Sequence, residues 1–316
     1  MSYDPSDARS RLPGANAAAL APAKPGPVAD AEHVKFYALP PAVTDGESRT
    51  WYGRSQHLVI GYTALAGETG FALPGKVGGH ADECGVLMPE TTTTAHITLD
   101  GETTEVPGGT LTFVPAQEGT VRLTGHGRVI TIFTARSAPP SVRPANAASY
   151  REPHPHVAPL VAWPDPVGGQ RLRTYSLDVP PLAEPPFRLF RCSTFMVNYI
   201  DPRTGPRDTT RMSPHTHADF EQCSLVLDGE YVHHLRWPWT TDLSEWREDQ
   251  HERVASPSLT VIPPPALHTS QAVAPGVNHL IDIFSPPRLD FSKMDGWVLN
   301  ADEYPMPPDT TSGAAR

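Results

Sequence analysis

The chain has 316 residues and a formal net charge of −10, with no basic stripe or run that could track a phosphate backbone, so nucleic acid is excluded as a partner. Its 37 prolines and 24 glycines disfavour long helices and suit short strands joined by many turns, and the length allows two domains of ordinary size. No segment approaches 18 consecutive apolar residues, and early charges and prolines interrupt the N-terminus, so the expectation is a soluble, cytoplasmic, all-β protein with no membrane partner.

Residues 1–30 are rich in Ala, Pro and Gly without apolar periodicity and read as a mobile arm. Short β-type runs follow, among them His57-Leu-Val-Ile-Gly-Tyr62, Thr110-Leu-Thr-Phe-Val114 and Val129-Ile-Thr-Ile-Phe133, each bounded by Gly or Pro. They assign residues 31–140 to a first β unit. Cys84 lies here, and with Cys192 and Cys223 it makes an odd number without CxxC spacing, so the cysteines read as small hydrophobes rather than a disulfide or zinc framework.

The first unit is repeated. Leu99-Asp-Gly-Glu102 returns as Leu227-Asp-Gly-Glu230, with Asp-Gly where a tight hairpin turn is expected. Gly109-Thr-Leu-Thr-Phe-Val-Pro115 parallels Pro257-Ser-Leu-Thr-Val-Ile-Pro263, and Ile130-Thr-Ile-Phe133 parallels Ile281-Asp-Ile-Phe284. Between the copies, residues 141–180 form a proline-rich connector. The second unit spans 181–295, followed by a tail over 296–316.

In the second unit Pro214-His215-Thr-His217 precedes the strand-like run Cys223–Leu227. Two histidines at i and i+2 on extended chain face the same way, and imidazoles converging inside a small barrel are natural ligands for a divalent metal. His268 follows Pro263-Pro-Pro-Ala-Leu on a further strand segment.

This pattern resembles the cupin superfamily, whose first motif is Gly, five residues, His-x-His, three or four residues, Glu, six residues, Gly, and whose second is Gly, five residues, Pro-x-Gly, two residues, His. His217 stands 12 residues before Gly229, and Pro263-x-Pro265-x-x-His268 keeps the second spacing. Thr209 replaces the opening glycine of the first motif, and Pro257 and Pro265 replace the glycines of the second. The resemblance implies two cupin-type jelly-roll barrels in tandem, with His215, His217 and His268 as metal ligands in the second.

The family's glutamate position falls on Gln222, with Glu221 one residue earlier. Neighbours on a regular strand face opposite sides, so Glu221 reaches the metal only through a bulge, and Gln222 is the favoured fourth ligand. A neutral ligand set keeps the ion's full charge and, by resemblance, tilts the expectation towards an Fe(II) dioxygenase acting on a small anionic or phenolic metabolite; Mn, Ni and Zn remain alternatives. An isomerase or lyase on a sugar acid or keto acid, and a non-catalytic small-molecule binder, are the competing readings. His233 or His234, whichever points inward, is the candidate acid–base group, and Arg236 is the candidate partner for a substrate carboxylate. Asp282 is a candidate to orient a ligand histidine.

In the first unit the motif positions fall on Leu87, Pro89, Thr94 and Thr120, none of which holds a metal there. His80, Asp82, Glu83 and Cys84 lie too early for the register and read as a solvated loop. The first barrel is therefore expected to serve packing, homodimer formation or pocket closure. The charged segment Thr240–Glu252 reads as a solvated insertion or a lid.

Overall fold

The computed structural model describes residues 27–180, 187–240 and 242–308; the N-terminal arm up to residue 26 and the end of the tail from 309 lie outside them. A 9-stranded sheet runs in the order 173–176, 110–114, 84–88, 118–134, 58–74, 48–54, 43–45, with 93–99 and 102–107 attached, and belongs to the first repeat. Around the second repeat lie a 7-stranded sheet, ordered 32–34, 258–262, 222–228, 277–284, 196–199, 189–191 with 203–204 attached to 277–284, and a 3-stranded sheet, 250–255, 230–236, 267–272.

Alternation along the strands divides their side chains between two cores. Leu58, Ile60 and Tyr62 join Cys223, Leu225, Leu259, Val261, Ile281 and Ile283 in one apolar cluster, so the two large sheets bury faces against each other. Their neighbours Val59, Val86, Met88, Val114, Val129 and Phe133 fill the interior of the first barrel. Strands covered on both faces read as near-continuous apolar runs, as these do. The inward residues of the second barrel are different: Gln222, Ser224, Ser258, Thr260, His233, His268 and Asn198 are all buried there. A polar interior needs partners for its donors and acceptors, a demand that the apolar interior of the first barrel does not make.

Two Asp-Gly turns that look alike in sequence behave differently. Asp100 (φ 50°) and Gly101 (φ 82°) close a two-residue hairpin in which Leu99 pairs with Glu102. The second is not a hairpin. The strand 222–228 pairs with 258–262 and 277–284, whereas 230–236 pairs with 250–255 and 267–272, so Gly229 (φ 80°) is a corner between sheets. A Cβ at Gly229 would come within 2.4 Å of Asn278 Oδ1, which reserves the position for glycine.

The sheets also cross the predicted limits. Glu32–Val34, from the start of the first unit, pairs antiparallel with Val261–Leu259 at the edge of the second barrel's sheet. Arg173–Ser176, from the connector, pairs with Phe113–Thr110 of the first. The loop predicted as solvated is instead buried at Asp82, Glu83 and Cys84. Asp82 accepts from Arg136 Nε at 2.7 Å and from Thr134 Oγ1 at 2.6 Å, and Glu83 Oε1 accepts from Tyr304 Oη at 2.7 Å. Charged residues tolerate burial when such partners are supplied from distant sequence. The three cysteines are buried and free. No described helix is long and apolar enough to cross a membrane.

Candidate metal centre

His215 and His217 lie on irregular chain that approaches the strand 267–272, where His215 and His268 exchange two backbone hydrogen bonds of 3.0 and 2.9 Å. The three imidazoles thereby converge, with one ring nitrogen of each within 4.8 Å of the others. Phe220 stacks on the His217 ring at 4.4 Å and Phe284 meets it edge-on at 5.9 Å, which limits its rotation.

Backbone carbonyls determine which nitrogen faces the centre. His268 Nδ1 donates to Ala266 O at 2.9 Å and His215 Nδ1 donates to Ser213 O at 3.0 Å. In a neutral imidazole the other nitrogen is then an acceptor, so His215 and His268 offer Nε2 lone pairs. Burial keeps the neutral forms: the His217 pKa is pushed down to about 3 and that of His268 to about 4.

Gln222 completes the set. Its Oε1 lies 2.9 Å from His217 Nε2 and 3.2 Å from His268 Nε2. The amide is held in this orientation because Nε2 donates to Ser224 Oγ and to Asp282 Oδ1, both at 3.0 Å, and a carboxylate accepts. The His268 lone pair thus faces an amide oxygen with no proton between them. A cation placed between them would be held by both, with His217 and His215 at hand as further nitrogen donors. The residues present fit a divalent metal.

Glu221 faces away from the centre: its carboxylate accepts from Gln56 N (2.6 Å), His154 Nδ1 (3.0 Å) and Tyr150 Oη (3.2 Å). The strand begins regularly at Gln222, with no bulge there to turn Glu221 inward. Asp282 orients Gln222, not a histidine. On the strand 230–236 the buried residues are Tyr231, His233 and Leu235, so His234 and Arg236 point outward. His234 contacts His251 and Gln271, and Arg236 pairs with Asp249, which removes both from the site. His233 is inside the barrel, its Nδ1 2.9 Å from Ser270 Oγ and its Nε2 without a partner.

A cavity of about 970 Å³ opens over the centre, lined by His215, Gln222, His268, Asp282 and Ser270 among others. Sequence reasoning missed Asn198 and Arg288 in its wall and Arg203, Arg207 and Arg211 at its mouth. None lies in a motif; only the preceding strand and the segment after the last strand bring them there. Among the described residues, none from the segment 240–252 lines this cavity, so that insertion is no lid in this conformation.

No known family profile matches the sequence, and no curated protein matches it. Solved structures do. The oxalate decarboxylase of Lactobacillus farciminis, in a formate complex, is 12% identical with a TM-score of 0.53, covering 84% of this chain and 90% of that one. A deletion mutant of the Bacillus subtilis oxalate decarboxylase is 12% identical with a TM-score of 0.54, covering 88% and 84%. A putative glyoxylate-induced protein from Pseudomonas aeruginosa is 14% identical with a TM-score of 0.51, covering 84% and 94%. The chain therefore has the two-domain cupin fold, as the histidine motifs and the repeat imply.

Proposed function

We propose that this chain is a metal-dependent cupin enzyme, and that it acts as an Fe(II) dioxygenase on a small anionic or phenolic metabolite. One observation carries the metal: His215, His217 and His268 bring one ring nitrogen each within 4.8 Å of one another, and the Gln222 amide oxygen stands beside two of them, His217 and His268. Three imidazoles and an amide carry no charge, so a bound divalent ion retains its own and supplies a Lewis acid with open coordination positions.

The chain's residues support an anionic substrate. Although the protein is acidic overall, Arg203, Arg207, Arg211 and Arg288 surround the cavity, against Asp201, Asp208 and Asp282. Arg207 is anchored by donating to Ser270 O (3.0 Å) and Ser213 Oγ (3.0 Å), which holds its charge at the mouth. A cleft with such a lining raises the local concentration of anions. Phe187, Phe284 and Phe291 give the same cavity an apolar aromatic wall.

The test is an O2-uptake assay of anaerobically prepared Fe(II)-loaded protein with catechols, hydroxybenzoates, thiols and diketones. Uptake with one of them, abolished in His217→Ala, is the expected result. Turnover of a sugar acid or keto acid without oxygen would instead support the isomerase or lyase reading.

A further inference from the structure

Asn198 is a buried amide whose side-chain oxygen has no protein partner. It sits on the strand Met196–Tyr199 directly opposite Asp282 of the strand 277–284, one strand away from Gln222. Cross-strand neighbours carry their Cβ atoms about 5 Å apart, so Asn198 stands on the inner face beside the residue that holds the Gln222 amide. It is only 2% exposed, its Oδ1 has no hydrogen-bond partner, and it lines the cavity over the histidines. Its neighbours on that face are satisfied: Ser224 Oγ donates to Asp282 Oδ1 at 2.6 Å, and Gln222 Nε2 donates there too.

The amide oxygen has no protein partner, so whatever enters the cavity, solvent or ligand, supplies its hydrogen bond. A valine or isoleucine on this strand would pack without that requirement. Asp282 and Gln222 are committed to each other, so a ligand that displaces solvent from the cavity must supply the partner of Asn198. A hydroxyl is the group that matches, because it donates to a carbonyl oxygen and accepts from an amide nitrogen, and so serves either end of Asn198. Arg207 marks the ionic part of the same ligand: it lines the cavity and its guanidinium is held there by neutral acceptors, Ser270 O and Ser213 Oγ, whereas Arg288 is engaged by Asp290.

We propose that Asn198 is the specificity-determining residue of this cavity and selects small carboxylates that carry a hydroxyl over their deoxy analogues. This rests on the cavity being the substrate site, as proposed above. Sites with buried groups dedicated to a substrate hydroxyl reject the analogue that lacks it, because the protein group is then left unpaired.

The experiment is calorimetric titration of the full chain, metal-free and Zn-loaded, with two pairs of acids: malate against succinate, and 3-hydroxybenzoate against benzoate. The wild type is expected to favour the hydroxylated member of at least one pair by about tenfold or more, and Asn198→Val to bind both members within about twofold while keeping its metal content. Should the variant fail to fold, the Asn198 side-chain amide signal of the wild type decides: it shifts on addition of the hydroxylated acid and not of its partner. Equal affinities within both pairs, no binding of any acid, unchanged discrimination in Asn198→Val, or an unmoved amide signal each overturn the proposal. Metal content is read separately. Discrimination by a chain that takes up no metal would sink the metal reading and leave Asn198 in its role.

Discussion

The centre turns on how four side chains are held. His215 and His268 are fixed by carbonyl acceptors, His217 by Phe220 and Phe284, and Gln222 by Ser224 and Asp282. Replacing Gln222 by Glu places two carboxylates side by side where an amide now donates to Asp282 at 3.0 Å. Like charges at that distance repel, so Gln222→Glu is expected to lower the melting temperature of the metal-free protein by several degrees and to regain it when Zn is added, read by thermal unfolding with and without metal. His217→Ala is expected to bring the metal per chain to near zero by elemental analysis with the fold retained. These candidate ligands were legible because they stand at the spacings of the cupin motifs that the chain resembles: His-x-His, the Pro-x-x-x-x-His run and the count back from Gly229. Asn198 and Arg288 were not, since a lone Asn or Arg far from both motifs carries no local signal.

At the level of elements, the strand 222–228 has two faces with two tasks. Gln222 and Ser224 serve the cavity, while Cys223 and Leu225 pack against the first barrel. Glu221, just ahead, ties the start of this strand to the connector through His154 and Tyr150 and to the first repeat through Gln56. Its carboxylate is buried, so Glu221→Gln is expected to cost on the order of 2 kcal/mol in denaturant unfolding while leaving metal stoichiometry at the wild-type value. A fall in metal content without loss of stability would contradict this division of labour. Alternation put Gln222 and Glu221 on opposite faces and sent one of His233 and His234 inward without saying which; the structure turns His233 in. Nor could alternation show that Gly229 turns a corner between sheets, because an Asp-Gly pair serves a hairpin and a corner equally well.

Across the whole molecule the repeats are interlocked rather than merely joined. Residues 32–34 pair with the second repeat and 173–176 with the first, an exchange that leaves no trace in composition because edge pairing is made by the backbone. Arg128 bridges the repeats, holding Glu90 on its own side and donating to Asp228 Oδ2 (2.5 Å) and Leu227 O (3.1 Å) across the boundary. Behind that bridge His279 is buried, with burial pushing its pKa down to about 4. Its folded value lies below the unfolded one near 6.5, so the unfolded chain takes up the proton first as pH falls. Stability from this residue is therefore complete above about pH 6.5 and is lost between there and about pH 4, by on the order of 3 kcal/mol. His279→Gln is expected to flatten the dependence of unfolding free energy on pH across that interval; an unchanged slope would assign the acid sensitivity elsewhere.

The proposed chemistry requires a bound metal. Elemental analysis of the anaerobically purified full chain, compared with His268→Ala, is predicted to give about one divalent transition metal per wild-type chain and near none in the variant. A wild-type chain that holds no metal when offered Fe(II), Mn, Ni or Zn, or a variant that binds as much as the wild type, would contradict it.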